Sequence, residues 1–140
     1  MLEKNNYDSL NKEEKLIYLA GVFEGEGSFG FWGKLNKKRR YFKAQVEMTD
    51  EDIILRFSNY FKVGFITENK IRLKRKKSWT WRVSGEKAIR VVLHLLPYLG
   101  IRRKEKFEQC YQFYKQLPHL PKYFSTQSIK QSQIKTLLQN

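Results

Sequence analysis

Twice in succession the apolar residues of this chain change period, recurring first every three to four positions and then alternating. The chain therefore reads as two helix-strand-strand units with further helices after them. The order αββαββα predicts an α+β fold: a four-stranded antiparallel sheet with helices two to four on one face and the other face open. In the first unit, Asn11 and Glu14 have the spacing of a capping box, and a helix follows over about Lys12 to Gly25. Beyond Gly27, Phe29 and Phe31 fall on one side of a strand while Gly30, Trp32 and Lys34 fall on the other. A polar turn, Asn36 to Arg40, leads into a second strand at Tyr41 to Met48.

In the second unit, Thr49 stands as a cap before Asp50, Glu51 and Asp52, and the helix Asp50 to Tyr60 turns Ile53, Ile54 and Phe57 inward, with Phe61 on the same face just beyond. Val63-Gly64 then turns the chain into strands at Phe65 to Lys74 and Ser78 to Val83, separated by the basic loop Arg75 to Lys77. Ser84 is the expected cap of a third helix carrying Ile89, Val92, Leu93 and Leu96, which Pro97 ends. A fourth helix is expected over Arg102 to Gln116, before Pro118. The tail 119–140 holds at most one short helix, so 1–140 reads as a single domain with its core over 12–118.

Charge narrows the partner. Lys and Arg number 28 against 14 Asp and Glu, a net charge of +14, which attracts polyanions. No apolar run approaches the roughly 20 residues of a spanning helix, and the cations line no amphipathic helix, so no membrane partner is expected. The N-terminus lacks a signal-peptide core, which points to an intracellular protein. Cys110 is the one cysteine, read as a small buried hydrophobe, and neither His94 nor His119 has metal-ligand spacing. The cations gather on the two hairpins: Lys34, Lys37, Lys38, Arg39, Arg40 and Lys43 on the first; Arg72, Lys74, Arg75, Lys76, Lys77 and Arg82 on the second. With Trp32, Tyr41, Gln45 and Thr80 they form an expected DNA-binding face, since a β-ribbon fits the major groove and Lys or Arg meet phosphates and guanine edges.

The segment Tyr18-Leu19-Ala20-Gly21-Val22-Phe23-Glu24-Gly25-Glu26-Gly27-Ser28-Phe29 resembles the LAGLIDADG signature of homing endonucleases, with Glu at both acidic positions. Gly21 and Gly25 are four apart on one helix face and permit close approach of a partner helix; the resemblance implies that this face is the interface of a homodimer. Two copies of Glu26 then lie side by side, and clustered carboxylates call for a cation between them. Mg²⁺, with Mn²⁺ able to replace it, suits ligands such as the Glu26 carboxylate and the Gly25 carbonyl. Glu24 is implied to hydrogen-bond near the interface, behind the metal ligands.

The resemblance continues through Gln45-Val46-Glu47-Met48-Thr49-Asp50 and Trp81-Arg82-Val83-Ser84-Gly85 to Leu96-Pro97-Tyr98-Leu99-Gly100-Ile101-Arg102-Arg103-Lys104. It implies a basic catalytic residue after Pro97-Tyr98-Leu99, with Arg102 first and Lys104 second. Met48 departs from the polar residue, often Gln, of many members; Gln45 or Thr49 are the substitutes at hand for ordering water. The implied activity is metal-dependent hydrolysis of double-stranded DNA at a long pseudo-palindromic site, in a mobile intron or intein. Residue usage rich in Lys, Asn, Ile and Phe fits an organelle, mitochondrion or chloroplast, or a bacterial cytoplasm. A non-cleaving intron RNA maturase or DNA-binding regulator is the second reading. A single-strand binder is the third, and it would need aromatics on the open face.

Overall fold

Asn11 opens the first helix with a reciprocal cap. Its side chain accepts the Glu14 amide at 2.9 Å and Glu14 Oε1 accepts the Asn11 amide at 2.9 Å, which satisfies two amides that a helix start leaves bare. A computed structural model describes residues 6–32, 41–70 and 76–115. Within them α1 (Lys12–Glu26) runs into β1 (Gly27–Trp32), followed by β2 (Tyr41–Met48), α2 (Glu51–Phe61), β3 (Phe65–Asn69), β4 (Ser78–Ser84), α3 (Glu86–Leu95), a 3₁₀ turn (Leu96–Tyr98) and α4 (Ile101–Lys115). Lys34, Lys37, Lys38, Arg39, Arg40, Arg72, Lys74 and Arg75, like the tail 119–140, lie outside the described residues.

All strand pairs are antiparallel and the order is β1-β2-β4-β3, so β2 and β4 form the centre of the sheet. Strict alternation sends Phe29, Phe42, Ala44, Val46, Trp81 and Val83 to the helix side, where each is at most 2 % exposed. Facing them, α2 and α3 lie on β2 and β4 while α4 lies on β1. The expected layering is observed, with one addition: α1 also touches the sheet, and its Phe23 stacks on Phe29 with ring centroids 6.2 Å apart.

β3 ends at Asn69, short of the expected Lys74, with 71–75 outside the described residues; three further boundaries differ for a backbone reason. Asp50, not Thr49, caps α2, and no side chain makes the capping bond, leaving Glu51 and Asp52 as the favourable charges at that end. Ser84 does not cap α3, because its backbone belongs to β4 opposite Lys43. The chain reverses at Gly85, whose φ of +72° suits glycine. Pro97 sits inside the 3₁₀ turn rather than ending α3, at a first-turn position where its missing N–H costs nothing.

Candidate nucleic-acid interface and carboxylate site

α1 has two faces of different character. Leu19, Ala20 and Phe23 are fully buried, whereas Ile17, Gly21 and Gly25, spaced at four, face outward. Ile17 is 46 % exposed, and a Cβ added at Gly21 or Gly25 would meet nothing within 4 Å. Side chains at the contact set how near two helices come, so this stripe permits an approach close to backbone contact. Beside it the 3₁₀ turn adds Tyr98, 40 % exposed, and α4 begins with Ile101, 76 % exposed.

At the end of α1 the chain must pass from helix to strand without a loop. Gly27 makes this possible, since a Cβ there would lie 2.4 Å from the Phe23 ring. Glu26 is the last helical residue and is exposed; its carboxylate has no partner among the described residues. The Gly25 carbonyl lies in the final turn, where a helix leaves its last four carbonyls without an intrahelical partner. Both are hard oxygen donors of the kind Mg²⁺ takes. No three His, Cys, Asp or Glu side chains converge on a metal position among the described residues. The described residues of one chain therefore bring together fewer than three such side chains at any point.

Glu24 faces another way. Its Oε2 accepts the Gly100 amide at 3.2 Å and lies 3.4 Å from Arg103 Nε, while Arg103 Nη2 donates to the Glu24 carbonyl at 2.9 Å. A Cβ at Gly100 would come within 2.9 Å of Glu24 Oε1, so a larger residue there would displace the carboxylate. Glu24 thus clamps α1 to the start of α4. The structure leaves Arg102 exposed on the first turn of α4 and Lys104 half-buried. Arg103, which the sequence reading passed over, reaches the end of α1. The signal was present: Phe107, four residues on, is a core residue, so position 103 shares its inward face.

The open face of the sheet is a set of cross-strand rows. Trp32 pairs with Tyr41; Gly30 with Lys43 and Ser84; Ser28 with Gln45, Arg82 and Phe65; Glu47 with Thr80 and Thr67; and Ser78 with Asn69. Six expected DNA-binding residues, Trp32, Tyr41, Lys43, Gln45, Thr80 and Arg82, share this face. Lys43 is only 7 % exposed, its Nζ standing 4.0 Å from the Trp32 ring centroid, and burial, then the nearby Arg82 charge, pull its pKa below the usual lysine value. Lys76 is exposed, while Lys77 Nζ pairs with Glu68 at 2.9 Å; hydrogen bonding to that carboxylate raises its pKa.

The sequence reading also missed a polar network on this face. Asn69 Nδ2 donates to Ser78 Oγ at 3.0 Å and to Thr80 Oγ1 at 2.9 Å, and Ser78 Oγ donates to Glu47 Oε1 at 3.0 Å. Met48 turns to the helix side opposite Trp79 and packs against the core.

No sequence-family model matches the chain, and no curated protein matches it. Among solved structures, the homing endonuclease I-CvuI, in complex with DNA and in the presence of Mg, is 18 % identical; the match covers 91 % of this chain and 94 % of that one with a TM-score of 0.58. The LAGLIDADG meganuclease I-AabMI, bound to uncleaved DNA, is 21 % identical over 91 % of this chain but 42 % of its own, with a TM-score of 0.55. The LAGLIDADG homing endonuclease I-GzeII, in complex with its DNA target, is also 21 % identical, covering 89 % of this chain and 41 % of that one at a TM-score of 0.53. The helix that ends in Glu26, the four antiparallel strands behind it and the helices on one side thus compose the LAGLIDADG homing endonuclease fold.

Proposed function

We propose that this protein is a site-specific, double-strand DNA endonuclease that acts as a homodimer with Mg²⁺. The observation that carries the reading is Glu26: a carboxylate without a protein partner among the described residues, at the end of a helix whose outward stripe is Ile17, Gly21 and Gly25. Pairing two such stripes brings two Glu26 carboxylates together on a basic surface, beside the open sheet faces that would hold the duplex. Glu26 and the Gly25 carbonyl are the residues to hold the metal. When bound, the metal supplies an activated water and charge stabilisation for the leaving 3′ oxygen. Arg103 keeps the end of α1 in place through Glu24, and Arg102 and Lys104 at the start of α4 supply positive charge for the scissile phosphate. Lys76, Arg82 and the cations of the hairpins hold the DNA.

The deciding experiment compares parent with Glu26→Gln on duplex DNA selected by the parent from a randomised library. Cleavage in Mg²⁺ is expected to fall by roughly three orders of magnitude or more, while binding in Ca²⁺ persists. Undiminished cutting by the variant would remove Glu26 from the chemistry. A parent that binds duplex and never cuts in Mg²⁺ or Mn²⁺ would move the protein to the non-cleaving reading, as RNA maturase or regulator. Met48, apolar where many members of the resembled family carry a polar residue, favours that second reading.

A further inference from the structure

We infer that Arg82 reads a guanine in the major groove once in each protomer, with Gln45 as the positioning residue that sets its plane; this rests on the DNA-binding reading above. Arg82 stands on β4 and Gln45 on β2, the two inner strands, directly opposite each other on the open face. The pair therefore sits away from the rims of the sheet, where a duplex presents base edges rather than its phosphate chains. Arg82 Nε donates to Gln45 Oε1 at 3.3 Å. That bond uses the inner side of the guanidinium and leaves both Nη groups without a protein partner among the described residues. A planar cation held by its Nε, with two parallel donors remaining, matches the O6 and N7 acceptors of guanine, the commonest specific contact of arginine.

The other flank of Arg82 decides between base and phosphate. Phe65 is its register partner on β3 and is 56 % exposed, an apolar ring directly beside the guanidinium. A phosphate backbone gains nothing from such a ring, whereas a base step does, through contact with a thymine methyl group and exclusion of water from the guanidinium. Gln45, Arg82 and Phe65 occupy consecutive strands about 5 Å apart, so the row spans neighbouring bases rather than one.

The test selects a randomised duplex library with the parent protein, with Arg82→Gln and with Gln45→Ala, in Ca²⁺ so that cleavage does not deplete the bound pool. The parent is expected to require guanine at one position in each half-site, preferring it by about tenfold or more. Arg82→Gln should lose that preference and keep the rest of the selected sequence, while Gln45→Ala should weaken it. Replacing that guanine by 7-deazaguanine should lower parent affinity and leave the Arg82 variant unchanged. Arg82→Gln binding that falls equally on all sequences, with a salt dependence reduced by about one unit, would make Arg82 a phosphate contact and overturn the inference. A parent that selects no duplex would overturn the DNA-binding reading and the inference with it. A parent that selects a sequence unchanged in Arg82→Gln would sink the inference alone.

Discussion

The two helix-strand-strand units share one pattern and use their helices differently. α2 buries Ile54 and Phe57 against Trp81, exposes Leu55 among polar groups on its far side, and reaches β3 through a turn of two left-handed residues, Lys62 and Gly64. Trp81 Nε1 completes that turn by donating to the Val63 carbonyl at 3.0 Å. α1 buries a comparable face but keeps a second, bare one of Ile17, Gly21 and Gly25, and enters β1 with no turn at all. Glycine therefore serves opposite ends in the two units. In the second, Gly64 fills a position where nothing larger fits; in the first, Gly21 and Gly25 leave a low surface, while Gly27 at the helix-strand junction is as crowded as Gly64. A helix with one used face is scaffold, and a helix with a spare face is available for assembly.

The largest expected break of this comparison is in assembly. Gly21→Leu should raise the dissociation constant of the proposed dimer by roughly a hundredfold or more, because a branched side chain would hold its two α1 helices apart. Equilibrium sedimentation reads this, and parental dimerisation in the variant would place the interface elsewhere. Next comes Gly64→Ala. At φ +83° its Cβ would meet the Arg82 carbonyl at 2.6 Å and Trp81 Nε1 at 2.8 Å, so a loss of about 2 kcal/mol is expected in denaturant unfolding. Unchanged stability there would mean the turn is not constrained as described.

The opposite sign sharpens the contrast. Gly21→Ala adds a Cβ in open space within a helix and should stabilise the monomer by about 0.5–1 kcal/mol, measured at a dilution where no dimer forms. A destabilised monomer would show that the bare face is already occupied.

The smallest effect concerns Lys43, the buried cation of the first unit. Its folded pKa lies below the ordinary 10.5, so the unfolded chain binds a proton that the folded chain releases. Stability from this group is lowest and flat below the folded pKa, and rises as pH climbs from there to 10.5. Lys43→Met should remove that alkaline rise, whereas Arg82→Gln should leave most of it, because burial is the larger cause and the Arg82 charge the smaller. Parallel stability curves for parent and Lys43→Met would show that the ammonium is not desolvated.

Much of this was legible in residue order because the forces involved are local. Alternation at 27–32 and 41–48, the capping box at Asn11 and Glu14, and the acidic end of α1 all depend on neighbours within a few positions. The misread boundaries at Thr49 and Ser84 had the same local signals, but strand pairing took the Ser84 backbone and Gly85 took the turn. Arg103 was missed because only the docking of α4 beside α1 brings it to Glu24, 79 residues away in the chain. The polar network of Asn69, Ser78, Thr80 and Glu47 joins three strands whose order, β1-β2-β4-β3, no single segment specifies.

Residue order thus specifies the elements, the inward face of each strand and the carboxylate that closes α1, since periodicity and capping act over one or two turns of chain. Tertiary structure alone decided which cation meets which acid, which glycines are crowded and which are bare, and that Arg82 stands between Gln45 and Phe65 at the centre of the open face. Those outcomes depend on strand order and helix docking, and one register step would send Gln45, Arg82 and Phe65 to the other face of the sheet.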